Sequence, residues 1–240
     1  MINREKIYSN LYDYLVDTIF PVECIYCEKD GVWICNNCYS QLKFKFHTKC
    51  LRCRKYSVLS GLCSRCQKES YLDGLYIAGD YHQEKIKKAI KLLKYRCLRD
   101  LGSYLGNFLS SFVKYLDEDI LDQKAQTVVI PIPLHKKRQA WRGFNQVELI
   151  AFQLAQNLEL PLNKGLLRLK HKKPQTKIKK SLRKNNIVGC FAWQGGNEIK
   201  NKNIILIDDV ATTGSTLNEA AQVLKKQEVR AVTGLAVAGE

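Results

Sequence analysis

Apolar residues follow two spacings along the chain, and these spacings predict strands and helices that alternate. Short apolar runs predict strands at 74–81, 127–132, 188–193, 204–207 and 229–237. Apolar residues three or four positions apart predict amphipathic helices at 2–19, 85–99, 101–116 and 142–158, and a last helix that ends near residue 226. Because such an alternation is typical of a parallel sheet covered by helices, we predict an α/β fold.

The stretch at 203–216, NIILIDDVATTGST, has the most specific pattern in the chain. Its apolar run is rich in β-branched residues, as expected of a strand buried on both faces. Asp208 and Asp209 follow at the carboxyl end of that strand, where open α/β sheets hold their ligands. The hydroxyl-rich turn at 212–216 then opens a helix, so its N–H groups, hydroxyls and helix dipole would attract a phosphate. Because two carboxylates suit the hydroxyls of a ribose, or a metal ion, the stretch predicts a site for a phosphorylated sugar.

Two simpler interpretations of this stretch compete with a sugar-phosphate site. An apolar strand followed by two acids also fits the metal-binding strand of a P-loop ATPase, but the sequence contains no G-x-x-x-x-G-K-[ST] motif. Thr and Ser residues also serve as ordinary helix caps. A cap alone does not account for the strand and the carboxylate pair that precede the turn, so we favour the ligand site.

Cysteines are numerous and regularly spaced. The chain has ten, and eight of them form four C-x2-C pairs: Cys24 and Cys27, Cys35 and Cys38, Cys50 and Cys53, and Cys63 and Cys66. Each pair brings two thiolates to one side of a short turn, so two pairs complete the tetrahedral set that zinc prefers. We therefore predict two structural zinc ions rather than disulfides. A polar segment this short would not hold a fold without metal.

The sequence leaves two pairing schemes open for these cysteines. Sequential pairing gives two small zinc ribbons, whereas pairing the first pair with the third gives a cross-brace. We favour sequential pairing, because the short intervals suit β-hairpins. His47 is an alternative ligand, although a surface position is the simpler interpretation. Cys97 and Cys190 stand outside both schemes and are expected to pack as small apolar groups.

Basic residues exceed acidic ones by a wide margin. The formal charge is +16, and two four-thiolate zinc sites of about −2 each leave the chain strongly basic. Between 161 and 197 there is no acidic residue, while ten Lys or Arg fall between 164 and 184. Such a run cannot pack as a core, so it predicts an exposed, mobile loop. An anionic partner follows from this charge, and nucleic acid is the first candidate.

Membrane insertion is not expected from the hydropathy of the chain. No apolar run approaches the ~18–20 residues that a membrane span needs. Residues 1–20 mix acids and bases along an amphipathic pattern, unlike a signal peptide. We therefore expect a cytoplasmic protein.

Several motifs, in this order, resemble those of the ComF family of competence proteins. They are the four cysteine pairs, LLKYR at 92–96, PIPLHKKR at 131–138, RGFNQ at 142–146, K-P-Q-T and S-L-R-K-N between 173 and 185, and the 203–216 stretch. That last stretch closely resembles the 5-phosphoribosyl-1-pyrophosphate (PRPP) motif of type I phosphoribosyltransferases. The motifs cover nearly everything from Cys24 onward, with one departure: Cys97 stands where family members often have Gly.

The resemblance implies a type I phosphoribosyltransferase-like parallel sheet flanked by helices, with a small N-terminal double zinc-ribbon domain. The domains would be an N-terminal helix at 1–22, the double zinc ribbon at 23–68 and the phosphoribosyltransferase-like domain at 74–240.

The resemblance also implies roles for individual residues. PRPP binding falls to Asp208, Asp209, Ala211, Thr212, Thr213, Gly214, Ser215 and Thr216, with the two acids on the ribose hydroxyls directly or through magnesium. The pyrophosphate loop contains Pro133, Leu134, His135, Lys136 and Arg142. A flexible loop that closes over PRPP and contacts nucleic acid contains Lys172, Lys173, Lys179, Lys180 and Arg183.

The implied chemistry is displacement of pyrophosphate at the anomeric carbon by a nitrogen nucleophile. Its transition state has oxocarbenium character and a departing anion, so the site needs cations and a lid against water more than a nucleophile. Purine-type members of the superfamily carry an acid inside the phosphate turn, and here Thr212 occupies that place, which argues against a purine acceptor. The sequence names no acceptor base, and we assign no catalytic residue.

Three functions fit these motifs. We favour a PRPP-binding protein that also binds single-stranded DNA during DNA uptake in natural transformation, because zinc ribbons and basic charge suit nucleic acid. The alternative is an active magnesium- and PRPP-dependent phosphoribosyltransferase with an unknown acceptor, which the intact phosphate turn favours. The third is an interaction scaffold whose zinc ribbons dock a DNA-uptake helicase or channel.

Overall fold

The computed structural model describes residues 21–45, 49–56, 61–96, 98–116, 124–169 and 189–239. A boundary after Leu42 divides the chain into two compact units. The predicted N-terminal helix, His47, Cys97 and the basic-loop residues lie outside the described residues; those of the loop are Lys172, Lys173, Lys179, Lys180 and Arg183.

Helices and strands alternate through most of the second unit. Among the described residues, the helices are α1 (Asn36–Tyr39), α2 (Ser64–Lys68), α3 (Glu84–Tyr95), α4 (Leu101–Tyr115), α5 (Lys136–Arg142), α6 (Gln146–Leu158) and α7 (Ser215–Lys225). The strands are β1 (Gly74–Asp80), β2 (Thr127–Pro131), β3 (Leu166–Arg168), β4 (Phe191–Trp193), β5 (Asn203–Ala211) and β6 (Ala231–Gly239). In this part of the chain, every helix is too short or too polar to cross a membrane.

Four strands form one parallel sheet in the order β1-β6-β5-β2. The two longest strands, β5 and β6, are central, and most of their apolar residues are buried. Strand β2 lies beside β5 with Pro131 opposite Ile207. Because the strands are parallel, the segments that follow β2 and β5 leave the sheet at the same edge.

Helices cover both faces of this sheet. On one face, Ile204 and Leu206 of β5 share a buried cluster with Leu217 and Leu224 of α7. Successive residues of a strand face opposite sides, so Ile205 and Ile207 face the other layer, where α6 packs on β5 and β2, and α4 packs on α6. The predicted α/β architecture, a parallel sheet flanked by helices, is confirmed.

The helix predicted at 142–158 is wrong at its start, because two helices meet there. Helix α5 ends at Arg142, and Gly143 follows in the left-handed conformation with φ of 78°, a common helix stop. Helix α6 begins after Asn145, whose side chain accepts a hydrogen bond from the Val147 N–H at 3.1 Å. The sequence R-G-F-N therefore encodes a stop and a new cap rather than the opening of one helix.

The exposed loop predicted from residue 161 onward is wrong at its start, where Leu166–Arg168 form a strand. Strands β3 and β4 pair antiparallel, with Leu166 opposite Trp193. Leu166 and Phe191 are buried. Their burial anchors the chain on either side of the basic segment, and β4 is shorter than the predicted strand at 188–193.

Candidate functional site

The turn between β5 and α7 forms a pocket at the carboxyl edge of the sheet. Its empty space is about 210 Å³, and its lining comes from Asp208, Val210, Ala211, Thr212, Gly214, Ser215, Thr216 and Leu217. The Thr213 hydroxyl donates a hydrogen bond to the Ser215 hydroxyl at 3.0 Å. Thr212, Ser215 and Thr216 line the pocket at the first turn of α7, where hydroxyls and N–H groups can bind an anion.

Gly214 is the residue that lets this turn close. Its φ is 70°, in the left-handed region where side chains cost energy. A Cβ built at this position would lie 3.0 Å from Leu75 Cδ2. Both the backbone conformation and the close approach of β1 therefore favour glycine.

The two acids after the strand have different surroundings. Adjacent residues of a strand point to opposite faces, so Asp208 lines the pocket on the α7 side while Asp209 points into the layer of α3 and α6. Asp209 is 5% exposed. Its Oδ1 accepts a bond from Lys94 Nζ at 2.7 Å, and its Oδ2 accepts one from Gln146 Nε2 at 2.5 Å.

These surroundings shift the pKa values of Asp208 and Lys94. Burial raises the pKa of Asp208 to about 7, and the neighbouring charge of Asp209 adds to the effect. Lys94 has the opposite balance: burial favours its neutral amine, but the charge of Asp209 outweighs burial and holds the pKa of Lys94 above its usual value. At neutral pH the cluster therefore contains the Lys94–Asp209 ion pair beside Asp208, whose raised pKa lies close to the pH of the solution.

The predicted pyrophosphate loop follows β2 at the same edge. Pro133, Leu134 and His135 link the strand to α5, whose first residue is Lys136. Nδ1 of His135 accepts a bond from the Lys137 N–H at 3.1 Å and so caps the helix. At the other end of α5, Arg142 donates to Gln146 Oε1, and its guanidinium lies 5.7 Å from the centre of the Tyr95 ring. Of the predicted loop residues, Arg142 is thus connected to the acid pair, because Gln146 also donates to Asp209.

The first cysteine group lies in the first unit. Cys24, Cys27, Cys35 and Cys38 have sulfur atoms that all lie within 4.8 Å of one another. The Cys27 and Cys35 sulfurs are 3.6 Å apart, near the roughly 3.8 Å edge of a zinc tetrahedron with bonds of about 2.3 Å. Four soft thiolates at this separation fit a structural zinc ion.

The second cysteine group, in the second unit, repeats this geometry. Its members are Cys50, Cys53, Cys63 and Cys66, again within 4.8 Å of one another. In each group the first cysteine N–H donates to the carbonyl five residues on, at Lys29 and Lys55, and the residue before that carbonyl is left-handed. Sequential pairing is therefore confirmed, and the cross-brace is excluded.

Thiol acidity within each group is uneven. Burial disfavours the Cys24 and Cys50 thiolates, but N–H donors, including that of Cys35 for Cys24, lower the pKa of each to about 6. Burial and the neighbouring thiols raise the pKa of Cys38 and of Cys66 to about 12. A zinc ion would therefore find the Cys24 or Cys50 thiolate formed and displace the proton held by Cys38 or Cys66.

Comparison with known proteins agrees with this geometry. A family model described as phosphoribosyl transferase domain matches residues 148–238. Competence protein F of Haemophilus influenzae is 32% identical over 224 residues, which span 89% of this chain and 95% of that protein. The chain belongs to the ComF family.

Two further relatives align with part of this ComF chain. Competence protein ComFC of Bacillus subtilis is 36% identical over 145 residues, or 60% of this chain and 55% of that protein. DNA utilization protein YhgH of Escherichia coli is 30% identical over 105 residues, or 43% of this chain and 45% of that protein. The chain thus spans about half the length of each of these two.

Solved structures also align with it. The allosteric regulatory enzyme of purine biosynthesis aligns with a TM-score of 0.35 and 15% identity, over 57% of this chain and 26% of that one. A hypoxanthine phosphoribosyltransferase from Staphylococcus aureus aligns with a TM-score of 0.34 and 14% identity, over 57% of this chain and 63% of that one.

Sequence reasoning about this ComF chain missed three groups at the site. Lys94 and Gln146 belong to quoted motifs, K-Y-R and R-G-F-N-Q, but their shared partner Asp209 was not foreseen. Arg168 of β3 is the third. Burial lowers its pKa, the charge of Arg138 lowers it further and the charge of Asp208 opposes both, so the Arg168 guanidinium interacts with an acid of the pocket. Only the absence of acids around Arg168 hinted at this role in the sequence.

Proposed function

We propose that this ComF protein binds PRPP at the carboxyl end of β5 and handles single-stranded DNA during DNA uptake in natural transformation. The observation that carries the proposal is the pocket at the start of α7, where a glycine turn, clustered hydroxyls and Asp208 meet. A helix start binds phosphate, and a carboxylate binds a sugar diol, so the pocket has a group for each end of a ribose phosphate.

The three parts of PRPP would each meet a different segment. The 5-phosphate takes the turn at 212–216, and the ribose hydroxyls take the end of β5, where Asp208 lines the pocket. The pyrophosphate takes the loop at 133–136, with the cations Arg138 and Arg168 nearby. Carboxylate oxygens suit magnesium, so Asp208 could hold the ion that accompanies PRPP. The ion would neutralise part of the negative charge of PRPP.

Single-stranded DNA is the second proposed ligand. Several aromatic side chains of the second unit are largely exposed, among them Tyr95 at 64%, Trp141 at 73% and Phe152 at 52%. Tyr95 lies beside the Arg142 guanidinium, and bases stack on such exposed rings while cations hold the phosphates. The net charge of +16 supports the same partner. Two relatives are named for competence and a third for DNA utilization.

Each cysteine group would hold one structural zinc ion in this protein. The sulfur separations and the buried positions of most ligands support structural rather than catalytic metal. A DNA-uptake helicase or channel as docking partner of the ribbons stays a prediction.

Isothermal titration of the zinc-loaded chain tests the PRPP proposal. PRPP with magnesium should bind at one site per chain, and ribose 5-phosphate should bind the same site more weakly because it lacks the pyrophosphate. Fluorescence anisotropy with a labelled oligo-dT tests the DNA proposal in parallel. A chain that binds neither PRPP nor ribose 5-phosphate would contradict the first proposal, and salt-independent oligonucleotide affinity would contradict the second.

An active phosphoribosyltransferase is the second candidate function. The acid pair at the end of β5 favours it, because DNA binding alone would not require carboxylates at this edge. Release of pyrophosphate from PRPP that depends on an added nucleobase would support this function. No release with any nucleobase, from a chain that binds PRPP, would leave a binding protein.

A further inference from the structure

The ion pair between Lys94 and Asp209 gives the two acids of the proposed PRPP site different roles. We propose that Lys94 is a positioning residue: together with Gln146 it holds Asp209 as an internal counter-ion, which leaves Asp208 as the acid that contacts the ribose or its magnesium. This inference rests on the proposed PRPP function and deepens it.

The first support is the direction of the two side chains. Asp208 lines the pocket at the start of α7, whereas Asp209 is not among the described residues that line it. Adjacent residues of β5 face opposite layers, so one acid faces the phosphate turn and the other faces α3 and α6. Two neighbouring acids in sequence are therefore not two equivalent ligands.

The second support is that both oxygens of Asp209 are engaged. Lys94 Nζ lies 2.7 Å from Oδ1 and Gln146 Nε2 lies 2.5 Å from Oδ2. The pair is shielded from water, since the Lys94 side chain is 18% exposed and that of Asp209 7%. An ion pair in such surroundings is weakly screened by salt and has little freedom to rearrange.

The third support is that Gln146 is itself oriented. Its Oε1 accepts a bond from Arg142 Nη1, so its amide nitrogen must point toward Asp209. Three elements therefore fix one carboxylate: α3 through Lys94, α6 through Gln146, and α5 through Arg142. A carboxylate fixed in this way is suited to position, not to exchange ligands.

The charge balance explains why an internal ammonium is useful here. PRPP brings several negative charges, and two unpaired acids beside it would repel them. Lys94 cancels one of those acids within the protein, so the empty site carries one uncompensated carboxylate rather than two. In a variant without this ammonium, PRPP affinity should depend more strongly on magnesium, because the metal ion can supply the missing positive charge.

A double-mutant cycle in the full, zinc-loaded chain tests the proposal by PRPP titration. Asp209→Asn removes the partner that fixes Lys94 and Gln146, and Lys94→Met strands a shielded carboxylate beside the anionic ligand. Although Asp209→Asn also makes the site more positive, each single variant should disturb the position of Asp208 and weaken PRPP at least about tenfold. The variant with both changes removes the pair together and should bind PRPP within about threefold of the parent, because removing both partners of such a pair is far milder than removing one. Lys91→Met is the matched control, since it removes an exposed lysine from the same helix and should change nothing.

Magnesium dependence provides a readout that simple loosening of the fold would not move. The affinity of Lys94→Met for PRPP should recover as magnesium rises, more steeply than that of the parent or of Lys91→Met. A double variant that stays as weak as Asp209→Asn would show that Asp209 contacts the ligand directly and would overturn the inference. A double variant that does not fold, judged by its thermal transition, would overturn it as well. Failure of the parent to bind PRPP would instead overturn the proposed function, and the inference with it.

Discussion

Replacing Gly214 tests the phosphate turn at the residue that its geometry constrains most. Gly214 has a φ of 70°, and a Cβ there would lie 3.0 Å from Leu75 Cδ2. The left-handed conformation costs an L-residue about 1–2 kcal/mol, and the tight contact forces Leu75 to shift. We therefore expect Gly214→Ala to lower the thermal midpoint by roughly 2–8 °C, given about 2–4 °C per kcal/mol in a chain of this size.

The same change should disturb phosphate binding. A turn that relaxes to relieve the strain moves the first N–H groups of α7, and one lost hydrogen bond to a charged group costs about 1.5–3 kcal/mol. PRPP affinity should thus fall about tenfold or more. Gly214→Val should be worse, because its branched side chain also crowds the phosphate.

Gly31→Ala is the matched control. Gly31 has a φ of 81°, but a Cβ there meets nothing within 4 Å, and the residue lies in the first unit between Cys27 and Cys35. This variant imposes similar backbone strain without touching the turn, so its PRPP affinity should equal that of the parent. Titration calorimetry gives the affinities, and circular dichroism gives the midpoints. If Gly214→Ala is folded and binds PRPP as the parent does, the turn does not hold the phosphate.

Three further predictions concern zinc, pH and DNA. Cys63→Ser should lose one of two zinc ions by elemental analysis and lower the midpoint of the sheet, because Leu62 and Cys66 share its buried cluster; zinc content unchanged from the parent would refute this. The pKa of Asp208 is raised to about 7, so the folded chain holds a proton that the unfolded chain has lost, and parent stability should fall as pH rises from about 4 to 7. Asp208→Asn lacks that proton, so its stability relative to the parent should rise between about pH 4 and 7 in magnesium-free buffer; parallel midpoint curves would refute this. Trp141→Ala should weaken oligo-dT binding by about 1–3 kcal/mol without changing the dependence of the affinity on salt. Neutralising Lys172, Lys173, Lys179 and Lys180 should instead flatten that salt dependence, and the reverse pattern would refute both roles.

Local patterns in the sequence predicted most of the fold and the centre of the site. The strand at 204–207 and the glycine turn after it are encoded by consecutive residues, so their structure follows from short-range preferences. The cysteine pairs were equally local, and the short intervals that favoured sequential pairing agree with the two groups observed.

Long-range pairing could not be predicted in the same way. Lys94 and Asp209 are 115 positions apart, and nothing near either residue indicates which helix will cross which strand. Alternation along β5 did imply that Asp208 and Asp209 face opposite sides. Because the two acids are adjacent, however, both were expected to bind the same ligand. The break between α5 and α6 was encoded by Gly143 and Asn145, and it was missed because the apolar pattern ran through it.

The measurement that tests the central claim most directly is titration of PRPP and magnesium into the parent and Asp208→Asn. The parent should bind one PRPP per chain. Asp208→Asn should bind about tenfold to a hundredfold more weakly, since it removes the charge from a bond worth about 1.5–3 kcal/mol, while its zinc content stays unchanged. A parent that does not bind PRPP, or an Asp208→Asn variant that binds as tightly as the parent, would contradict the account.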